Sequence, residues 1–366
     1  MNDLGTLKRE ERINLSMRRL YELYGYEKYR MNKFEEYSFY LQNKNFLEND
    51  RYITFNDPDG RLMALKPDVT LSIVKNAAIQ GTQRIYYSES IFRTRKGTNE
   101  FAELKQTGLE YLGNVDIYAT AEVLGLALDT LEILSPNYVL SVSHMGIITA
   151  VLDSAEVDYS LRRAIVGCIK SKNRHELAKL CQDNGLNTKI TQVLGELADI
   201  RGSFGKCVER LEKIALDGML PALNELKEIN NVLKSTEHYN HLQLDFADVS
   251  STEYYNGIVL SGFVEGISAA VLTGGRYDGL LKLMGKDMQA MGFAVNFCYM
   301  EQMLRTQNSA DFTTVLYDEN TDAAYMFELM KRLTGKGIRV RALHKSAEVG
   351  VNEGIIDITG SRRYEE

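Results

Sequence analysis

Strand-forming segments lie on both sides of a long stretch, residues 154–239, in which only helical patterns occur. Before this stretch come a hairpin around the turn "NDPDG" and two long segments, "RIYYSESIFRTR" and "ELKQTGLEYLG". After it come "LQLDFADV", "YYNGIVLSGFV", "ISAAVLTGG" and "MGFAVNF". Strands joined by short turns are typical of antiparallel pairing, whereas parallel strands need long crossovers. The pattern predicts an α+β fold, a mostly antiparallel sheet flanked by helices, and not a doubly wound parallel sheet.

The same pattern predicts the domain organisation. We expect a core in two parts, residues 1–153 and 240–306, separated by a helical insertion at 154–239. Strands in "TTVLYD", "IRVRAL" and "GIIDIT" around the helix "AAYMFELMKRL" predict a small α/β unit over residues 312–366. The boundary before it is expected within "RTQNSAD", residues 305–311. Apolar residues at helical spacing predict a first helix over residues 7–24.

The composition limits the function classes that the chain can serve. A net charge of −7 argues against a broad nucleic-acid surface. The four cysteines form no CxxC pair and the five histidines are dispersed, so neither a zinc site nor a disulfide framework is expected. No run approaches 18 apolar residues and no secretory signal is recognisable, so we expect a cytoplasmic protein that does not enter a membrane. No P-loop or serine-hydrolase elbow occurs, and no cofactor is indicated.

The segment "LTGGRYDGLL", residues 272–281, is the sharpest local motif. Gly274 and Gly275 allow the backbone to approach a ligand closely, and Arg276 and Asp278 could bracket that ligand. A glycine turn with an exposed ion pair is an equally good interpretation of the pattern alone.

Two further segments carry polar residues at strand spacing. In "KPDVT", Asp68 and Thr70 share a face if the strand continues that far, and they could receive an ammonium group. The alternative is that one of them caps the following helix. In "KQTGLEYLG", Gln106 and Glu110 share a strand face, with Gly108 leaving space for a small molecule between them. The alternative there is a solvated face.

The segment "EYYNGIV" places two tyrosines side by side in what the pattern predicts to be a strand. Adjacent strand residues point to opposite faces, so Tyr254 and Tyr255 should not serve the same core. At most one of them is expected to be ordinary sheet core.

Taken together, these motifs resemble the class II aminoacyl-tRNA synthetase core, and within it the histidyl-tRNA synthetase branch. The similarity extends from the first helix to about residue 305. "SIFRTRKGTNEFAELKQTGLEYLG" resembles motif 2 with the strand after it, and "AMGFAVNFCYM" lies where motif 3 belongs. "EYYNGIV" and "TGGRYDGLL" resemble the two histidine-specific signatures. The resemblance implies that "YRMNKFEEYSFYLQ" forms a homodimer seam and that a histidine site is built from nine residues: Asp68, Thr70, Arg93, Gln106, Glu110, Tyr254, Tyr255, Gly274 and Arg276.

The departures from the synthetase pattern concern charges that face ATP. The catalytic arginine before the tyrosines is replaced by Ser250, and the motif 3 region has Asn296 and Tyr299 where an arginine is expected. Motif 2 keeps Arg93, but its adenine-sensing glutamate is Arg95. Adenylate formation depends on preorganised positive charge at the α-phosphate. The chain is therefore expected to keep a histidine pocket and to lack aminoacylation activity.

This combination resembles the regulatory subunits of ATP phosphoribosyltransferase, a silent branch of synthetase relatives. The resemblance implies a hetero-oligomer with a short-form catalytic subunit, in the first step of histidine biosynthesis, and feedback inhibition by L-histidine. The tail then resembles a shortened anticodon-binding domain, and tRNA binding is not expected. Two alternatives remain: a divergent histidyl-tRNA synthetase, and a synthetase-like module that senses uncharged tRNA.

Overall fold

A computed structural model describes residues 7–43, 52–94, 100–248, 254–300, 313–346 and 354–360. The chain divides into two units, Met1–Glu301 and Gln302–Glu366. The boundary segment 305–311 lies outside the described residues, as do Ser250 and Arg95.

The first unit alternates strands and helices up to residue 154 and again after residue 240. Its strands are β1 (Glu27–Lys28), β2 (Phe34–Glu36), β3 (Thr54–Asn56), β4 (Leu62–Leu65), β5 (Gln83–Thr94), β6 (Phe101–Gly113), β7 (Tyr138–His144), β8 (Arg201–Ser203), β9 (Leu242–Asp245), β10 (Ile258–Val264), β11 (Leu272–Arg276) and β12 (Gln289–Asn296). Its helices are α1 (Arg9–Leu23), α2 (Tyr37–Gln42), α3 (Thr70–Asn76), α4 (Ile117–Leu134), α5 (Met145–Ser154), α6 (Tyr159–Lys170), α7 (Arg174–Asp183), α8 (Thr188–Asp199), α9 (Phe204–Ile214), α10 (Leu220–Leu233) and α11 (Asp278–Leu283).

A large sheet carries the site described below. Among the described residues it has nine strands in the order β1-β5-β6-β12-β11-β10-β7-β9-β8. Its neighbours pair antiparallel except for β1 with β5 and β7 with β9, which pair parallel. This confirms the predicted mostly antiparallel sheet. The predicted hairpin is also present, because β3 and β4 pair antiparallel across the "NDPDG" turn.

Helix α4 covers one face of the large sheet. The Asp116 side chain accepts a hydrogen bond from the backbone N–H of Ala119, which satisfies one of the free donors at the start of the helix. Leu131 of α4 packs against Gly262 of β10, where an added Cβ would lie 2.7 Å from the leucine Cδ2. Helix α1 is amphipathic as predicted, and it buries Ile13, Met17 and Tyr21 at intervals of four residues.

The segment 154–239 is mostly helical, with α6 to α10 in succession. The side chains of Asp158, Asn173 and Asn187 cap α6, α7 and α8, which explains why short helices form here instead of one long helix. The expectation that this segment contains no strand was wrong. Strand β8 lies within it and pairs antiparallel with β9.

The second unit is a small α/β layer, as the tail pattern predicts. It contains β13 (Thr313–Tyr317), α12 (Ala323–Gly335), β14 (Val340–His344) and β15 (Gly354–Asp357). Both β14 and β15 pair parallel with β13. Leu329 of α12 packs with Val315 and Ile358 to form its core.

None of the helices in the described ranges has the length and hydropathy needed to cross a membrane.

Candidate functional site

A cavity of about 370 Å³ opens beside strands β6, β11 and β12, next to the start of α3. Its volume is at the lower end of the range of roughly 300–1,000 Å³ typical of small-molecule sites. Eight of the residues predicted for the site line it: Asp68, Thr70, Arg93, Gln106, Glu110, Tyr254, Tyr255 and Gly274. The structure therefore brings together residues from five places in the sequence, 68–70, 93, 106–110, 254–255 and 274.

Glu110 is the most buried acid in this cavity, with 2% of its surface exposed. The Thr70 hydroxyl donates a hydrogen bond to Oε1 at 2.7 Å, and the Tyr277 hydroxyl donates to Oε2 at 2.6 Å. Gly292, directly opposite on β12, makes room for the carboxyl group, because an added Cβ there would lie 1.9 Å from Oε2. The carboxyl group is held in one place by neighbours from α3, β12 and the turn after β11.

Burial raises the pKa of Glu110 from its ordinary value of 4.5 to about 8, against the opposing effect of the hydrogen bonds from Tyr277 and Thr70. At neutral pH this carboxyl therefore carries a proton. A protonated carboxyl donates one hydrogen bond, so one of the two neighbouring hydroxyls then accepts from it instead of donating to it. The group can also offer its proton to a ligand.

The raised pKa predicts a pH-dependent stability. Because the folded state holds this proton more tightly than the unfolded chain, the free energy of unfolding should fall as the pH rises from about 4.5 to about 8. The full loss is on the order of 5 kcal/mol, from 1.36 kcal/mol per pKa unit. Glu110→Gln, which cannot ionise, should lose this component. Urea unfolding of the ligand-free protein at pH 5.5, 7 and 9 measures the difference between variant and wild type.

The matched control for this measurement is Glu103→Gln, an exposed residue on the same strand. It should follow the wild-type pH curve. Equal pH slopes for wild type and Glu110→Gln would mean that Glu110 is ionised in the folded protein at neutral pH.

Asp68 both caps a helix and faces the cavity. Strand β4 ends at Leu65, so the expectation that Asp68 and Thr70 share a strand face was wrong. Asp68 Oδ1 instead accepts a hydrogen bond from the backbone N–H of Leu71 at 2.7 Å. Arg93 lies beside it, with Nη2 3.7 Å from Asp68 Oδ2 and Nε donating to the Pro67 carbonyl at 2.8 Å. The two alternatives drawn from the sequence are therefore compatible in one residue.

Gln106 is held by one of the residues that depart from the synthetase pattern. Its amide donates to Asn296 Oδ1 at 2.6 Å, and the two residues are direct partners in the β6–β12 register. Gly108 does not leave ligand space as predicted. An added Cβ there would lie 2.1 Å from the Phe293 carbonyl oxygen and 2.9 Å from the Tyr87 hydroxyl. Glycine is needed at this position because strand β12 and the Tyr87 hydroxyl leave no room for a side chain.

The two adjacent tyrosines do not lie on a strand, because β10 begins only at Ile258. The prediction that they serve opposite faces was therefore wrong. Their rings pack edge to face with the ring centroids 4.7 Å apart. Both rings pack on one core cluster and line the cavity. Gly275 accommodates Tyr255, since an added Cβ would lie 2.8 Å from the tyrosine Cδ1. The paired rings form an aromatic wall of the cavity.

Arg276 is not among the residues that line this cavity, contrary to prediction. Its Nε donates to Asp278 Oδ2 at 2.9 Å, and the two side chains are only 15% and 10% exposed. The ion pair of the alternative interpretation is present, but it is not exposed as expected. Neither Arg276 nor Asp278 is among the residues that line the cavity. The side chains form a largely buried ion pair behind the glycine turn.

Several cavity residues were missed from the sequence. Tyr277 and Thr273 flank the predicted glycines, so their place in the same motif was the available signal. Tyr87 reaches the cavity from β5, but its segment is indistinguishable from an ordinary strand in the sequence. Tyr299, noted above only as a departure, also lines the cavity and is 51% exposed.

The chain is similar to known proteins in sequence and in fold. The family model described as histidyl-tRNA synthetase matches residues 4–300. The ATP phosphoribosyltransferase regulatory subunit of Desulfitobacterium hafniense (strain Y51) is 27% identical over 299 residues, which cover 80% of this chain and 78% of that protein.

Two solved structures resemble the chain at low identity. An ATP phosphoribosyltransferase regulatory subunit/histidyl-tRNA synthetase from Bacillus halodurans C has a TM-score of 0.77 at 22% identity, covering 97% of this chain and 95% of that one. The ATP phosphoribosyl transferase (HisG:HisZ) complex from Thermotoga maritima has a TM-score of 0.62 at 16% identity, covering 78% of this chain and 96% of that one. These likenesses confirm the predicted class II synthetase-like fold.

Proposed function

The chain belongs to the histidyl-tRNA synthetase family, and we propose that it is the histidine-sensing regulatory subunit of ATP phosphoribosyltransferase. The observation that carries the proposal is the buried group of Glu110, Thr70 and Tyr277 beside Asp68 in one cavity. This arrangement suits an amino acid with a small polar aromatic side chain. The name of the Desulfitobacterium hafniense relative supports the assignment.

Each part of histidine has a matching group in the cavity. The ammonium group would pair with Asp68, which already lies at the cavity wall. The imidazole would lie against the two tyrosine rings. One ring nitrogen would accept a hydrogen bond from the protonated carboxyl group of Glu110. Arg93 would attract the carboxylate. Of the described residues that line the cavity, Arg93 is the one with a permanent positive charge.

That charge balance supports binding without catalysis. Adenylate formation places negative charge on the α-phosphate, and enzymes stabilise it with preorganised cations. The chain has Ser250 and Tyr299 where the synthetase pattern has arginines. We therefore propose that histidine binds here and is not activated.

The partner of the proposed subunit is the catalytic subunit of ATP phosphoribosyltransferase, acting with it in the cytoplasm. The HisG:HisZ complex of Thermotoga maritima supports an association of this kind. We also propose that two copies of this chain associate within that hetero-oligomer, with L-histidine as the regulatory ligand.

Substitution of Asp68 separates its two roles and tests the histidine site. Asp68→Asn keeps an oxygen that can accept the Leu71 N–H, so thermal stability should stay near that of wild type. It removes the charge that would pair with the ligand ammonium, so histidine affinity should fall by about tenfold or more. Asp68→Ala should lose both stability and affinity. Calorimetric titration with histidine and thermal unfolding are the two measurements.

The matched control is Asp59→Asn, an exposed residue in the β3–β4 turn. It should bind histidine as wild type does. Unchanged histidine affinity in Asp68→Asn, together with lost stability in Asp68→Ala, would leave Asp68 with the cap role alone.

A further inference from the structure

The two segments that resemble the histidine-specific signatures, "EYYNGIV" and "TGGRYDGLL", are hydrogen-bonded to each other next to the cavity. The Asn256 side chain donates to Asp278 Oδ2 at 3.0 Å and accepts from the Asp278 backbone N–H at 3.0 Å. Asp278 Oδ1 accepts from the backbone N–H of Ala290 at 3.0 Å. Asn256 follows Tyr255 directly, and Asp278 follows Tyr277. The position of the tyrosines is therefore tied to one asparagine–aspartate pair.

Arg276 contacts Asp278 of this pair and, on the side away from the cavity, Glu225. Its side chain passes over Gly257, where an added Cβ would lie 2.9 Å from the arginine Cδ. Its Nε donates to Asp278, while Nη1 lies 3.8 Å from Glu225 Oε1 and donates to the Val115 carbonyl at 3.4 Å. A shorter side chain at 276 would not join both carboxylates.

Glu225 belongs to α10, within the helical segment 154–239. His144 Nδ1 accepts from the backbone N–H of Gly146, so Nε2 carries the ring proton of the neutral tautomer and donates to Glu225 Oε2 at 3.1 Å. Burial acts to raise the pKa of Glu225, but the His144 hydrogen bond and the Arg276 charge outweigh it and lower the pKa. Glu225 is thus a carboxylate fixed between β7 and β11.

We propose that Arg276 is a positioning residue that couples the tyrosine segment to helix α10 through Asp278 and Glu225. Ligand binding in the cavity then changes the stability of α10 in the helical segment. The proposal rests on the proposed histidine site. It assigns the regulatory signal a physical route through four side chains that join two elements far apart in sequence. Asn256 is exposed, whereas the side chains of Asp278, Arg276 and Glu225 are 10%, 15% and 21% exposed.

A purely structural ion pair is the competing explanation, and it makes a different prediction. Such a pair would change the stability of the fold without passing on ligand binding. An ion pair that couples the two elements must make histidine binding change the stability of α10. Residues in one network commonly interact strongly enough to change such an equilibrium at least about twofold. The readout must therefore be the effect of the ligand on α10, and not stability alone.

Hydrogen exchange of the full chain with and without L-histidine is the test. In wild type, histidine should slow exchange in peptides from α10 (220–233) at least about twofold. It should also slow exchange in β10 (258–264), the strand that pairs with β11 of the cavity wall. Glu225→Gln keeps an acceptor for His144 but loses the charge facing Arg276. It should still bind histidine and protect 258–264, while α10 loses its protection. Arg276→Lys should give the same result, because lysine lacks the fork that joins Asp278 to Glu225.

The matched control is Glu209→Gln, the same charge change at an exposed position of α9. It should keep the protection of α10. Protection confined to the cavity segments in wild type, or α10 protection retained in Glu225→Gln and Arg276→Lys, would overturn the coupling role and leave the histidine site standing. No calorimetric binding of histidine to wild type would instead overturn the proposed function, and this inference with it.

Discussion

The purified protein should support histidine-dependent exchange of pyrophosphate into ATP at least about 10⁴-fold more slowly than a histidyl-tRNA synthetase measured beside it. Removing one preorganised group that stabilises transition-state charge typically costs ~10²–10³ in rate. Two such groups are replaced here, at Ser250 and Tyr299. Among the described cavity residues, Arg93 alone has a permanent positive charge.

The assay needs saturating histidine, with binding confirmed by calorimetry in the same buffer. Absence of exchange then reflects the chemistry and not an empty site. Exchange within about tenfold of the synthetase rate would show that other groups replace the missing arginines. The chain would then be a divergent histidyl-tRNA synthetase.

Glu110→Ala should weaken histidine binding by about 30-fold, and it should shift the histidine inhibition curve of the reconstituted transferase by a similar factor. A buried polar group left without its hydrogen-bond partner costs ~1–3 kcal/mol, and the middle of that range corresponds to about 30-fold in affinity. The substitution also leaves the Thr70 and Tyr277 hydroxyls without their acceptor. Calorimetry gives the affinity, and thermal unfolding monitors the fold.

Two variants make this result specific. Glu103→Ala, on the exposed part of the same strand, should bind histidine as wild type does. Glu110→Gln resembles the protonated carboxyl and keeps a hydrogen-bond donor, so it should lose less than about tenfold of the affinity. If Glu110→Gln binds histidine as weakly as Glu110→Ala does, the ligand requires an ionised carboxylate, contrary to the raised pKa.

The sheet could be predicted because its strands are long and joined by local turns. Strands β5 and β6 are 12 and 13 residues long, so each contains enough aromatic and β-branched residues to indicate a strand, although burial does not alternate along either of them. Strand β8 has three residues, including Gly202 at φ +128°, and such a segment has no detectable period. Its strand conformation comes from pairing with β9, a contact distant in sequence.

The site could be predicted where side-chain position follows from strand spacing. Gln106 and Glu110 are found in this way because β6 continues unbroken through both. The tyrosines were misplaced because β10 starts three residues after Tyr255, a boundary set by the lock between Asn256 and Asp278. Arg276 was misassigned because a sequence motif does not reveal that Glu225, from a distant helix, approaches its guanidinium group.

Regulation of a transferase in response to histidine is the function that we propose for this chain. The most direct test mixes it with the short-form ATP phosphoribosyltransferase catalytic subunit of the same organism and measures phosphoribosyl transfer to ATP. Addition of the chain should raise the rate, and L-histidine should then lower it, by the roughly 5–150-fold that corresponds to common coupling free energies. A rate that is the same with and without this chain, or a stimulated rate that histidine does not change, would contradict the account.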